Sequence, residues 1–121
     1  MKGYSKTLIF FSLVTTLTIT QANTATTKRI EQFANKQVKV WRTVIYPTSS
    51  QSLTLHRHDH NRVLVALTNG LLKITNDKGQ VHYLHLIKDK AYYLKKDIPN
   101  ELHKDENLTQ YPIKIMVIEL N

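Results

Sequence analysis

The chain has 121 residues, a formal net charge of +8 and no cysteine. This length supports a single domain, and the lack of cysteine excludes stabilisation by disulfides. The lysines are scattered rather than interleaved with aromatic residues, so the positive charge favours a well-solvated surface and argues against a nucleic-acid groove.

Residues 1–22 have the pattern of a secretory signal peptide. Lys2 and Lys6 form a positive start, an apolar run softened by threonines follows, and small residues come next at Ala22 and Ala25. The apolar run is too short to span a bilayer comfortably. We therefore expect cleavage after Ala22 or Ala25, a periplasmic or secreted mature protein, and no stable membrane insertion after signal removal. An uncleaved anchor or a buried N-terminal helix is the alternative.

The mature chain would be a small domain of roughly 95 to 100 residues. Without Lys2 and Lys6 it keeps 15 basic and 9 acidic residues, a net charge of +6. A domain of this size without disulfides often gains stability from a bound metal or from dimerisation. A bound metal and a homodimer are both compatible with such a domain.

Residues 23–37 form a polar lead-in, where we expect either a short helix or a disordered segment. From Val38 onward, short runs rich in β-branched and aromatic residues alternate with turn residues, which predicts strands. These predicted strands cover residues 38–46, 53–58, 62–67, 71–75, 80–87, 91–94, 101–104 and 113–120.

Turn chemistry separates the predicted strands. Asn69-Gly70 and residues 76–79 are hairpin signals, and residues 105–110 are expected to form a loop. The last strand is apolar on both faces, so we expect burial on both sides. Many short strands with frequent turns predict an all-β sandwich or barrel over residues 38–121.

Three histidines recur every second residue at His56, His58 and His60. Alternate residues of a strand share one face, so His56 and His58 would lie side by side and share a metal ion. A third ligand must come from elsewhere in the chain, and His103 is the candidate.

These residues resemble the two short motifs of the cupin family. His56 and His58 fit the H-x-H of the first motif, and Gly70 falls at its closing glycine. His103 and Asn107 fit the last part of the second motif. The resemblance covers essentially the whole mature chain and implies an all-β, cupin-like jelly-roll barrel with one domain.

The chain also departs from the cupin motifs. Val63 stands where the first motif has its glutamate ligand, and Ser50 stands where that motif begins with glycine. Tyr92 and Asn100 replace glycines of the second motif. The resemblance, with its glutamate lost, implies a neutral site made of three histidines.

In this cupin-like interpretation, His56, His58 and His103 hold one divalent ion, with Fe, Mn, Ni, Cu and Zn all compatible with imidazole. The undiminished +2 charge of the ion would attract a small anionic ligand into the barrel. Val63 and Val65 are expected to line that pocket.

The local sequence places five other polar residues. His60 lies in a predicted bend, so we expect it at the surface, with a role as fourth ligand or as partner of a ligand as the alternatives. Asn107 is expected to anchor a loop. Arg62 is expected to face away from the pocket, and His82 and His85 are expected to be exposed.

Three functions fit these observations. The first is a metal-binding protein with a small ligand in its barrel. The second is a three-histidine, metal-dependent oxygenase that resembles thiol dioxygenases and acts on a small anionic substrate. The third is a metal-free β domain with a structural or ligand-binding role. No catalytic acid or base can be assigned from the sequence.

Overall fold

The computed structural model describes Gly3 and residues 9–16, 27–47 and 55–121. The predicted cleavage sites, Ser50 and the first part of the strand predicted over residues 53–58 lie outside the described residues. No helix within the described part of the chain is long and apolar enough to cross a membrane.

All eight regular elements of the described residues are β-strands. They are β1 Lys28–Ala34, β2 Val38–Ile45, β3 Arg62–Ala66, β4 Gly70–Asn76, β5 Val81–Leu86, β6 Ala91–Leu94, β7 His103–Asn107 and β8 Ile113–Leu120. They form a five-stranded sheet in the order β1-β2-β8-β3-β6 and a three-stranded sheet in the order β5-β4-β7. Neighbouring strands are antiparallel, which confirms the predicted all-β jelly-roll architecture.

The first strand corrects one prediction. Within the lead-in predicted as a short helix or a disordered segment, Lys28–Ala34 forms β1 and pairs with β2. Its sequence is mostly polar and has little strand propensity of its own. Pairing with the edge of β2 satisfies its backbone groups, and this tertiary contact outweighs local preference.

Two further predictions about turns are wrong. Asn69-Gly70 does not form a hairpin, because β3 and β4 belong to different sheets. Residues 105–107 belong to strand β7 and not to a loop, since Asp105 pairs with Ile74 and Asn107 pairs with Leu72 of β4. The predicted hairpin at residues 76–79 is confirmed, because β4 and β5 pair directly on either side of it.

The hydrophobic core lies between the two sheets. Its buried members are Trp41, Ile45, Leu64, Ala66, Leu72, Leu86, Ile113, Ile115 and Val117. On β8, Ile113, Ile115 and Val117 face this core, whereas Met116 and Ile118 on the other face are only half-buried. The expectation that β8 is buried on both sides therefore holds fully for one face and only in part for the other.

Candidate metal centre

The backbone brings His56 and His103 together although they lie far apart in sequence. The two residues form an isolated antiparallel bridge. The His56 N–H donates to the His103 carbonyl at 2.9 Å, and the His103 N–H donates to the His56 carbonyl at 2.8 Å. Their ring centroids lie 4.5 Å apart, and the ring of His58 lies 5.1 Å from His56 and 5.3 Å from His103. The three histidines singled out by the motifs thus meet at one place.

Asp105 joins these three histidines as a fourth residue. It follows His103 by two positions on β7, so both side chains point to the same face of the strand. One ligand atom from each of His56, His58, His103 and Asp105 lies within 4.8 Å of the other three. The three histidines expected from the sequence are thus brought together, and Asp105 adds to them a carboxylate that the sequence analysis did not include.

Asp97 orients two of the histidines from behind. Its Oδ2 accepts the backbone N–H of His58 at 2.6 Å and lies 3.2 Å from Nδ1 of His103. The Asp97 N–H in turn donates to the His58 carbonyl at 2.9 Å. A proton on Nδ1 of His103 satisfies this contact, so Nε2 is left as the free lone pair. That nitrogen lies 3.6 Å from Oδ1 of Asp105.

Burial keeps His58 and His103 neutral at neutral pH. Desolvation, reinforced by the charges of Arg62 and His56, lowers the pKa of His58 from 6.5 to about 4. Desolvation also lowers the pKa of His103, although Asp105 and Asp97 act in the opposite direction. The contact between His103 Nδ1 and Asp97 is therefore a hydrogen bond and not an ion pair, whereas the unprotonated Nε2 has no proton to donate to Asp105. Neutral imidazoles are the form that binds metal ions.

Asp105 has the opposite protonation preference. Burial pushes the pKa of its carboxyl up, but the hydrogen bond from His56 and the neighbouring imidazoles outweigh that effect and bring it below its usual range. The hydrogen bond joins His56 Nε2 to Asp105 Oδ2 over 3.3 Å. The centre therefore combines an ionised carboxylate with imidazole nitrogens, which is a donor set suited to a cation.

Strand β3 presents a different face to this centre than the sequence predicted. Arg62 and Leu64 line the cavity beside the histidines, while Val63 and Val65 pair with Ile118 and Met116 on the opposite face of the sheet. The predictions that the two valines line the pocket and that Arg62 faces away are therefore wrong. Val63 and Leu64 offer apolar side chains to both faces of β3, so alternation alone did not identify the inward one.

Arg62 places a cation close to the centre. Its residue is only 9% exposed, and its Nη1 donates to the Lys95 carbonyl at 3.4 Å. Burial lowers the pKa of Arg62, and the nearby carboxylates of Asp97, Asp105 and Glu119 oppose that effect. A guanidinium is charged at all accessible pH values. Arg62 directly precedes Val63, which stands at the motif's glutamate position, so the chain places a positive side chain next to that position.

A cavity of about 320 Å³ opens beside the four residues. Its charged lining side chains are Arg29, Arg62 and Asp105. Most of the remaining wall is aliphatic and comes from both sheets, with Ile45, Leu64, Leu72, Ile74, Leu84, Leu94, Ile115 and Val117. Small-molecule sites are typically concave and mostly apolar with a few polar groups, and this cavity has that character.

The other residues singled out in the sequence lie outside this centre. His60 is about half exposed, and its Nε2 is 3.9 Å from Oε1 of Glu119. It does not belong to the four-residue group. His82 and His85 are exposed on β5.

Asn107 is buried at the end of β7 and holds the following loop in place. Its Nδ2 donates to the carbonyls of Ile45 and Tyr111, at 2.9 and 2.8 Å. Its Oδ1 accepts the backbone N–H of Thr109 at 2.8 Å. These bonds fix the connection between β7 and β8, and Asn107 does not line the cavity.

No protein-family model matches this sequence, and comparison with curated proteins gives no match. Solved structures do match. A cupin domain from Bordetella pertussis Tohama I gives a TM-score of 0.65 at 22% identity, over 78% of this chain and 93% of that chain. An RmlC-like cupin family protein with a double-stranded β-helix fold from Methanocaldococcus jannaschii gives 0.57 at 11% identity, over 98% and 93%. An RmlC-like cupin protein from Desulfovibrio desulfuricans gives 0.55 at 13% identity, over 92% and 97%. The chain therefore has the fold of a small cupin, as the motifs implied.

Proposed function

We propose that this protein binds one divalent first-row transition metal ion and takes a small anionic ligand into the adjoining cavity. His56, His58, His103 and Asp105 would hold the ion. The observation that carries this proposal is the approach of four ligand atoms, one from each residue, to within 4.8 Å of one another. Their chemistry supports it, since imidazole and carboxylate donors together suit Mn, Fe, Ni, Cu and Zn.

The charge of the cavity wall supports an anionic ligand. Arg29, Arg62 and Asp105 give its charged lining a net charge of +1, and a divalent ion would raise this further. Attraction between opposite charges is stronger in a partly enclosed apolar site than in water. This net positive charge would repel a cationic ligand and would give a neutral one no charge attraction.

The chain's own residues would position such a ligand. A bound divalent ion supplies Lewis-acid polarisation of an oxygen that coordinates it. Asp97 would keep the Nε2 lone pair of His103 directed at the ion. The aliphatic wall formed by side chains such as Leu64 and Val117 would exclude water from the ligand's apolar part.

We also propose that the protein acts in the periplasm or outside the cell. The signal-like pattern of residues 1–22 supports this location. The intact mass of protein recovered from each cell fraction tests the proposal. A mass that corresponds to cleavage after Ala22 or Ala25 is expected, and a chain that keeps residues 1–22 in the cytoplasm would overturn it.

Measurements on the same protein also test the two other functions predicted from the sequence. The oxygenase hypothesis depended on a neutral site of three histidines, and Asp105 changes that donor set. Oxygen uptake by the metal-loaded protein with small thiols or carboxylates would revive it. A well-folded protein that binds no ion would point to a metal-free β domain.

Metal binding is the measurement that decides the proposal. The mature protein, stripped with chelator and titrated calorimetrically with Zn²⁺ and Mn²⁺, is expected to bind one ion per chain. The variants His103→Ala and Asp105→Asn remove ligands, so each should weaken binding by more than the roughly 100-fold that loss of a ligand's partner costs.

The matched control is His85→Ala, which removes an exposed imidazole on β5 far from the group. It should bind the ion as tightly as the unmodified protein. If all three variants bind equally well, or if His85→Ala loses binding as His103→Ala does, the assignment of the centre is wrong.

A further inference from the structure

Arg29 is stacked on the indole of Trp41 at the wall of the cavity. Arg29 lies on β1 opposite Thr43 of β2, and the side chains of Arg29, Trp41 and Thr43 all line the cavity. Its Cζ atom lies 3.4 Å from the centroid of the Trp41 ring. Trp41 is only 4% exposed and belongs to the core, so it provides a fixed platform for the guanidinium.

Stacking leaves the hydrogen-bonding edge of this guanidinium free. The attraction to the ring uses the face of the group, whereas its five N–H donors point outward in its plane. Among residues 27–47 and 55–121, no ion pair or side-chain hydrogen bond involves Arg29. The stack also reduces the rotamer freedom that a ligand would otherwise have to remove.

The other arginine of the cavity differs in this respect. Arg62 faces Asp97, Asp105 and Glu119 and donates to the Lys95 carbonyl. Its charge is largely balanced by these neighbours. Arg29, in contrast, forms no ion pair within the part of the chain that the structure describes, and its planar fork matches the two oxygens of a carboxylate.

We propose that Arg29 binds the carboxylate of a small, mainly apolar carboxylate ligand whose body fills the aliphatic part of the cavity. This inference rests on the proposed function, in which the cavity takes a small anion, and it names the ligand class and the residue that selects it. The volume of about 320 Å³ lies at the lower end of small-molecule sites, about 300–1,000 Å³, so the ligand is small.

The protein contains its own reporter for this test. Trp41 is the only tryptophan in the chain, so its fluorescence reports directly on the cavity wall. The metal-loaded protein is titrated with hexanoate, benzoate and 3-phenylpropionate, each paired with its uncharged amide. At least one acid is expected to change the emission saturably, with its amide roughly 10- to 100-fold weaker, as expected for hydrogen bonds to a charged group.

Variants of β1 identify the residue responsible. Arg29→Gln should remove the preference for acid over amide, and Arg29→Lys should keep part of it because the charge remains. Lys28→Gln removes a neighbouring exposed cation whose side chain lies on the other face of the strand, so it should leave the preference unchanged. Thermal unfolding of each variant shows that the fold is retained.

The failure of this inference is distinguishable from that of the metal site. If the unmodified protein binds no Zn²⁺ but still prefers acid over amide through Arg29, the metal proposal fails and the inference stands. If Arg29→Gln binds Zn²⁺ normally and keeps the full preference, the carboxylate is bound elsewhere and the inference is wrong. Failure of all three acids to bind overturns it as well.

Discussion

At the scale of single residues, Asp97 decides which nitrogen of His103 is available. Its Oδ2 lies 3.2 Å from Nδ1 of His103, so the proton stays there and Nε2 remains a lone pair. Asp97→Asn would weaken this preference, since an amide can also present a donor to that nitrogen. Affinity for Zn²⁺ should fall about 10- to 100-fold when measured by calorimetry.

The control for this change is Asp59→Asn. Asp59 pairs with Arg57 at 2.7 Å, is well exposed, and lies on the same segment as the histidines. Its replacement should leave the affinity for Zn²⁺ unchanged. An Asp97→Asn variant that binds Zn²⁺ within twofold of the unmodified protein would show that this hydrogen bond does not control His103.

At the scale of elements, the start of β4 requires a glycine at position 70 because Ile113 leaves no room for a side chain there. A Cβ at this position would lie 2.5 Å from Cδ1 and 2.6 Å from Cγ1 of Ile113. Ile113 is fully buried on β8, so its side chain has no room to withdraw. Gly70→Ala should lower the free energy of unfolding by about 1–3 kcal/mol, the range typical of overpacking.

Urea denaturation measures this effect, and Ile113→Ala provides the background that tests its cause. In that background the clash is gone, so adding Gly70→Ala should cost clearly less than it does alone. Additive costs would mean that Ile113 is not the obstacle. The glycine at the end of the first cupin motif is thus explained by close packing, because a positive φ is found at Gly79 and not at Gly70.

Strands β3 and β7 show where interpretation of the sequence succeeded and failed. The existence of β3 was predictable, but its inward face was not, because Leu64 and Val63 offer apolar side chains to both faces. A shift of one residue in such a strand exchanges its faces completely. In β7 the polar sequence His103–Asn107 has low strand propensity, so Asp105 was missed as a fourth residue of the centre.

At the scale of the whole molecule, the buried histidines make stability depend on pH. In the metal-free protein the pKa of His58 is about 4 when folded and 6.5 when unfolded. Above pH 6.5 both states are neutral at this residue. As the pH is lowered from 6.5 to 4, His58 binds a proton in the unfolded chain but not in the folded one. The free energy of unfolding therefore falls as the pH falls. The lowered pKa of His103 acts in the same direction.

Urea denaturation in the presence of chelator at pH 7, 6 and 5 measures this dependence. His58→Gln should flatten the profile, because it removes the group whose protonation differs between the two states. His85→Gln should follow the unmodified protein, because that imidazole is exposed on β5. If the free energy of unfolding of His58→Gln fell as steeply with pH as that of the unmodified protein, the pH dependence would not come from His58.

The overall architecture was more predictable than the composition of the centre. Alternation and turn residues located most strands from β2 to β8, and the spacing of His56, His58 and His103 identified the fold and the meeting point of the three side chains. Asp105 and Arg29 were not found, because both lie on polar strands that exist only through pairing with a neighbour.

The bridge between His56 and His103 has a consequence for folding. The four residues of the centre come from two stretches at the ends of a loop that runs from position 56 to position 105. An ion held by both stretches would cross-link them, much as a disulfide would in this cysteine-free chain. For a loop of about 50 residues, such a covalent link removes about 4 kcal/mol of chain entropy from the unfolded state. The ion would therefore stabilise the folded state, in addition to its role in the chemistry of the centre.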